Sequence, residues 1–128
     1  FSAQGCLLLV KLWQFGPGDT DTVRIDTRQE AWRQGLVPGL TVRPLHSQAG
    51  MDTALVRWAP HTRFQPHTHP GGEEILVLQG VFSDEWGHYP QGSWLRSPRW
   101  SQHAPFTEAE GALILVKVGH LGATFLAP

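Results

Sequence analysis

Cysteine is almost missing from these 128 residues, where Cys6 stands alone. A single thiol excludes an intrachain disulfide framework and any multi-thiolate metal site, and it suits a reducing compartment. A dominant charge is missing as well, with 10 Lys and Arg against 11 Asp and Glu. That balance offers no electrostatic footing for nucleic acid or for an anionic membrane surface. No apolar run approaches the roughly 20 residues of a membrane span. Neither nucleic-acid nor membrane partners are therefore expected. The chain opens on Phe1, with neither Met nor the charged-then-apolar start of a secretory leader. It reads as a piece of a longer protein, with the cytoplasm as the default location.

What is plentiful is turn-forming and aromatic: 14 Gly, 10 Pro and six Trp. This composition favours strands and turns over helices, in a chain long enough for one domain with a proper core. Strands are expected at 7–15, 23–25, 40–45, 53–59, 63–69, 73–82, 92–97, 112–118 and, weakly, 124–126. A hairpin turn is expected at Asp84-Glu85-Trp86-Gly87, and Gln29 to Gln34 is the one plausible helical turn. Gly80 inside its strand predicts a bulge or a close backbone approach. Many short strands with turn signals between them indicate a closed or sandwiched antiparallel β-barrel.

The most informative stretch is His67-Thr68-His69-Pro70-Gly71-Gly72-Glu73-Glu74. Two histidines one residue apart share a face of extended chain, because side chains alternate across a strand. Pro-Gly-Gly then reverses the chain. Glu73 returns at the head of the next strand, on the face it shares with Ile75 and Val77, while Glu74 faces away. Two imidazoles and a carboxylate converging across a turn make most of a first-row metal site, and a further ligand is expected elsewhere.

Gly5-Cys6-Leu7-Leu8-Leu9-Val10-Lys11 aligns with Gly111-Ala112-Leu113-Ile114-Leu115-Val116-Lys117 at five identical positions of seven. Residues 1–15 are accordingly expected to be a strand resembling the end of a preceding repeat, with a single domain at 16–128. So apolar an orphan strand must pair with something, which favours a homodimer, with strand exchange as one route.

The spacing resembles the cupin superfamily. Its first motif, His-x-His followed by Glu and then Gly, is matched by His67, His69, Glu73 and Gly80. Its second motif is matched by Gly92, Pro98 and His103. The chain departs from the pattern at His61 and Trp100, which stand for Gly, and at Thr107, which stands for Asn. Further residues, including Trp32, Pro38-Gly39, His-Pro-Gly-Gly-Glu-Glu and Phe82-x-Asp84-Glu85-x-Gly87-x-Tyr89, resemble the ChrR-like group over about Val23 to Leu121. That resemblance implies an all-β cupin (double-stranded β-helix, or jelly-roll) barrel with little helix. It also implies a metal set of His67, His69, Glu73 and His103, which holds zinc in ChrR. The donor chemistry itself suits one divalent transition-metal ion, Zn, Fe(II), Mn, Ni or Cu(II).

Trp94 and Arg96 share a strand face leading to His103 and are expected as pocket residues if that face lines the barrel, with Arg96 as an anion anchor. His46, His88 and His120 are expected to be solvated, His61 to belong to its turn, and Asp84-Glu85 to form a solvated turn. Most Trp residues are expected in the core. Three function classes stay open. One is a mononuclear, dioxygenase-like metalloenzyme acting on a small oxygen-bearing molecule, as in acetylacetone-cleaving cupins. The second is a zinc-binding ChrR-like sensor or ligand-binding module, and the third a structural metal barrel.

Overall fold

The computed structural model describes residues 1–122. Nine strands follow in chain order: β1 Arg33–Gln34, β2 Leu40–Gln48, β3 Met51–Trp58, β4 His67–His69, β5 Glu73–Asp84, β6 Gly87–Pro90, β7 Trp94–Ser97, β8 Ser101–His103 and β9 Ala112–Val118. The described residues contain no helix, and so no helix long and apolar enough to cross a membrane. Every pairing is antiparallel. The main sheet runs β1-β2-β3-β9-β5-β6 with β7 also on β5, and β4 and β8 form a separate two-stranded sheet.

β5 is the spine. Its first half lies between β9 and β7, and its second half pairs with β6. Glu73, Ile75 and Val77 are buried in strict alternation, but the buried residues near its end include Phe82 and Asp84, of opposite parity. The register against β9 shifts between Val77 and Gln79, and one extra residue in a strand carries everything beyond it to the other face. Gly80 marks the irregularity. Its φ of 70° is left-handed, and a Cβ there would strike the carbonyl oxygen of Gly111. Both reasons for a strand glycine thus hold at one position.

The core consists of Leu40, Trp58, Ile75, Val77, Phe82, Ala112 and Ile114. Trp58 and Phe82 meet edge to face with centroids 5.4 Å apart, a favoured aromatic geometry. Burying side chains of this size removes about 1.5–3 kcal/mol each of hydrophobic exposure. The core thereby holds rigid the sheet from which β5 presents its two ends.

Several expected elements differ. Leu7 to Phe15 and Val23 to Ile25 carry no strand. Leu7 is 99% exposed, and Leu8, Leu12, Trp13 and Phe15 are exposed with it, because a strand without a partner leaves its backbone groups unpaired. In place of a helical turn at Gln29 to Gln34, Asp26 caps a turn through Arg28 and Gln29, and Arg33–Gln34 pairs with β2. The strand expected at 63–69 is confined to β4, with Arg63 in an isolated bridge to Phe106. Pro66 cannot donate to a ladder, which accounts for the gap. The strand expected at 124–126 lies outside the described residues.

Candidate metal centre

The register of the small sheet brings the histidines together. His67 lies directly opposite His103, and His69 opposite Ser101. Alternation then puts all three imidazoles on one face, with centroids 4.6–5.0 Å apart. One ring nitrogen from each lies within 4.8 Å of the others, an arrangement able to hold a metal ion. The Nε2 atoms of His69 and His103 are 3.0 Å apart. Gly72 N–H donates to the His69 carbonyl at 3.1 Å and closes the turn that delivers Glu73. Its Oε2 sits 3.4 Å from His69 Nε2 and 3.5 Å from His103 Nε2.

Glu73 is only 6% exposed, and its Oε2 has no hydrogen-bond partner among the described residues. Burial, and then the Asp84 carboxylate, push its carboxyl up to about 7. Burial, and then the two neighbouring imidazoles, push His69 down to about 4. His103 is lowered as well, first by burial and then by His67, with Asp84 opposing. Near neutral pH His69 and His103 are therefore uncharged nitrogen donors beside an orphaned buried oxygen. A buried polar atom without a partner is expensive, and a cation between these four groups would satisfy all of them. The triad suggests a metal site, and the donor set fits a first-row divalent ion.

The far sides of the rings are also held. His67 Nδ1 is 3.0 Å from the Gln65 carbonyl, and His103 Nδ1 is 3.5 Å from Asp84 Oδ2. Asp84 is buried, 8% exposed, contrary to the solvated turn expected of it. Its Oδ1 accepts from Trp86 N–H at 2.8 Å, Gly87 N–H at 3.2 Å and Tyr89 O–H at 2.9 Å. Burial, then the bond to Asp84, push the Tyr89 phenol up to about 12. The Asp84-x-x-Gly87-x-Tyr89 spacing was the one signal in the sequence that this carboxylate is anchored.

Glu74 faces the opposite side of β5, as expected, where it pairs with Lys11, with Arg96 at 3.5 Å and with His120 at 3.0 Å. Trp94 and Arg96 do share a face, but it is this outer one, since they lie opposite Leu76 and Glu74 in the β5–β7 ladder. With Leu9, Lys11 and Lys117 they line a cavity of about 460 Å³. Arg96 also borders a cavity of about 330 Å³ walled by Asp84 and His103. His120 is buried rather than solvated, with its Nε2 3.0 Å from Glu74 Oε2. His88 Nδ1 bonds Ser83 Oγ at 2.9 Å, and His61 occupies its turn at φ 57°. Of the Trp residues only Trp58 belongs to the core, while Trp13, Trp86, Trp94 and Trp100 are exposed.

The sequence profile described as the ChrR cupin-like domain matches residues 20–122. No curated protein matches the chain. Among solved structures, the chain is similar to the anti-sigma ChrR of Rhodobacter sphaeroides, seen in complex with SigE, at 24% identity and a TM-score of 0.63. That similarity covers 71% of this chain and 50% of ChrR, so the chain spans half of ChrR's length. A putative acetylacetone dioxygenase from Methylibium petroleiphilum is similar at 15% identity and a TM-score of 0.68, over 88% of this chain and 81% of that one. The polyketide cyclase RemF from Streptomyces resistomycificus is similar at 18% identity and a TM-score of 0.65, over 84% and 88%. The fold is an all-β cupin.

Proposed function

The chain belongs to the ChrR cupin-like domain family, and on that footing we propose that it binds one divalent transition-metal ion through His67, His69, Glu73 and His103 and acts as a mononuclear metalloenzyme on a small oxygen-bearing molecule. The observation that carries this reading is the buried, unpartnered Glu73 Oε2, 3.4 and 3.5 Å from two imidazole nitrogens. Three neutral nitrogens and one carboxylate leave a divalent ion with a net positive charge and with positions open to water or to an enolate oxygen. A bound ion of this kind supplies a Lewis acid for such an oxygen. The chain's own residues fix the three imidazoles on the paired strands β4 and β8 and the carboxylate at the head of β5, and keep bulk water from Glu73 and His103. The adjoining cavity of about 330 Å³ is at the small end of ligand sites, which suits a small substrate. The test is elemental analysis of protein purified without added metal, followed by an oxygen-uptake screen with small β-diketones. Bound iron with diketone-dependent uptake supports the reading, and a chain that binds no divalent metal refutes it.

A second reading, a zinc-binding sensor or ligand-binding module, is favoured by one observation: the ChrR family match spans residues 20–122. On this reading a sigma factor is the candidate partner class, since ChrR is seen with SigE. Tightly held zinc without oxygen uptake would select it. Cys6 is exposed in the N-terminal segment and outside the histidine cluster, so thiol redox chemistry at the metal is not part of either reading.

The assembly proposed is a homodimer in which a second copy covers the N-terminal segment. Leu7, Leu8, Leu12, Trp13 and Phe15 are all exposed within one short segment, and clustered exposed apolar side chains mark interaction surfaces. Light scattering of the intact chain and of a Leu8→Glu/Leu12→Glu variant tests this, with dimer-to-monomer conversion expected and a monomeric parent refuting it.

A further inference from the structure

We infer that Asp84 is a positioning residue that keeps the proton of His103 on Nδ1, so that the Nε2 lone pair faces His69 and Glu73. The inference rests on the metal reading above for its purpose, though not for its geometry. A neutral imidazole carries one N–H, and the group bonded to one nitrogen decides the role of the other. Asp84 Oδ2 lies 3.5 Å from His103 Nδ1, and an ionised carboxylate can only accept. The contact between His69 Nε2 and His103 Nε2 at 3.0 Å requires that one of the two carry a proton. With His103 protonated at Nδ1, His69 Nε2–H is the donor and His103 Nε2 the acceptor.

The division of labour within Asp84 separates this role from simple turn capping. Oδ1 takes all three anchoring bonds, from Trp86 N–H, Gly87 N–H and Tyr89 O–H. A capping role needs only that one oxygen, and Asn would serve it equally well. What a carboxylate adds is a second acceptor, the atom turned to His103. In Asp84→Asn the three donors hold the amide oxygen in the Oδ1 place. The NH₂ must then point at His103 Nδ1 and donate to it, which drives the proton to Nε2 and removes the lone pair a metal needs. The same carboxylate–imidazole–metal arrangement recurs in metal proteins, where loss of the outer partner lowers affinity about 10–100-fold.

The experiment is ¹⁵N NMR of histidine-labelled, metal-free protein, with His103→Ala to assign the ring, alongside Zn²⁺ titration of the same samples. The wild-type His103 ring is expected protonated at Nδ1 and the Asp84→Asn ring at Nε2, with Zn²⁺ affinity down about 10–100-fold and an unchanged fold by circular dichroism. Tyr89→Phe should keep the wild-type tautomer. A wild-type ring protonated at Nε2 overturns the inference, and so does an Asp84→Asn protein that matches wild type in both tautomer and Zn²⁺ affinity. If Asp84→Asn does not fold, the wild-type tautomer alone decides. A wild-type chain that binds Zn²⁺ no better than His103→Ala refutes the metal reading, while the tautomer still tests Asp84 separately.

Discussion

Glu73→Gln should make the metal-free protein more stable and the metal-bound protein weaker. Burial, with Asp84 second, raises the Glu73 carboxyl from 4.5 to about 7. The unfolded chain therefore ionises first. The folded state has its full stability below about pH 4.5 and loses it as the pH rises towards 7. At about 1.4 kcal/mol per pH unit, that loss reaches about 3 kcal/mol. Gln keeps the shape of the protonated acid and does not ionise. In chelator, the variant should match wild type at pH 4.5 and exceed it by about 3 kcal/mol at pH 7.5, on the order of 10 °C in Tm. His69 acts on the other limb. Its value is pushed down to about 4, so stability is full above about pH 6.5 and falls as the pH drops towards 4. The two effects run in opposite directions between pH 4.5 and 6.5 and leave their joint contribution nearly flat there. Glu73→Gln uncovers the rising His69 limb. Urea titrations from pH 4.5 to 7.5, with chelator and then with added Zn²⁺, read all of this. Metal binds only the folded state and stabilises by mass action, so wild type should gain more from it than the variant. A variant less stable than wild type at pH 7.5 in chelator, or a difference independent of pH, refutes the reasoning.

Other perturbations separate the site from its surroundings. His103→Ala should strip most of the bound metal in elemental analysis, whereas His88→Ala, whose ring bonds Ser83, should retain it; equal retention in both would sink the ligand assignment. Trp100→Gly should raise the unfolding free energy by about 1 kcal/mol and the urea midpoint with it, because Trp100 holds φ 65° while 66% exposed, and a left-handed non-glycine residue costs about 1–2 kcal/mol. A drop in the midpoint would show that the indole packs more than its exposure implies. Gly80→Ala should lower stability by about 2–3 kcal/mol, from left-handed strain plus the collision with Gly111, measured the same way. Lys11→Ala should raise the Lys117 amine in an NMR titration, since burial and then Lys11 hold it down; an unmoved Lys117 would mean that Lys11 does not sit beside it.

The parts of the molecule legible in the sequence are those governed by local alternation. Ala112 to Val118 is a strand at its expected bounds, because an apolar run between glycines, broken only at Lys117, leaves no other period to choose. His67, His69 and Glu73 followed from alternation on either side of one turn. His103 followed only from motif spacing, since nothing local says that β8 lies against β4. Asp84 escaped for a definable reason. Counted from Glu73 by twos, it falls on the outer face, and only the register shift between Val77 and Gln79 turns it inward. Gly80 announced an irregularity without saying that the strand's parity reverses there. His120 escaped because its partner Glu74 lies far from it in sequence. The departures at His61 and Trp100 proved conservative in backbone terms. Both residues keep the left-handed φ that glycine adopts without penalty, so the turns survive although the residue that suits them does not. Thr107, the third departure, is buried, and its hydroxyl accepts from Thr62 N–H and donates to the Ala59 carbonyl.

The heptapeptide that occurs twice shows why strand propensity alone did not decide the N-terminus. In the second copy Ala112 to Lys117 is strand because β3 and β5 lie on either side and satisfy its backbone along both edges. Gly5 to Lys11, five-sevenths identical, has neither neighbour and runs exposed across the outer face of the same sheet. What the two copies retain in common is a charge. Lys117 lies opposite Glu74 in the β5–β9 ladder, and Lys11 pairs with that same carboxylate from above. The two lysines thus flank one glutamate, which also meets Arg96 and His120. The Lys11–Glu74 pair is the polar anchor of the segment, while its leucines remain in water. Exposed ion pairs contribute about 0–1 kcal/mol, whereas each leucine removed from solvent contributes about 1.5–3 kcal/mol. The balance favours any partner surface able to cover those leucines over the placement the lone chain adopts. The outer face of the barrel is therefore the place where assembly would reshape this protein, and the candidate metal centre, on the opposite face of β5, would be left intact.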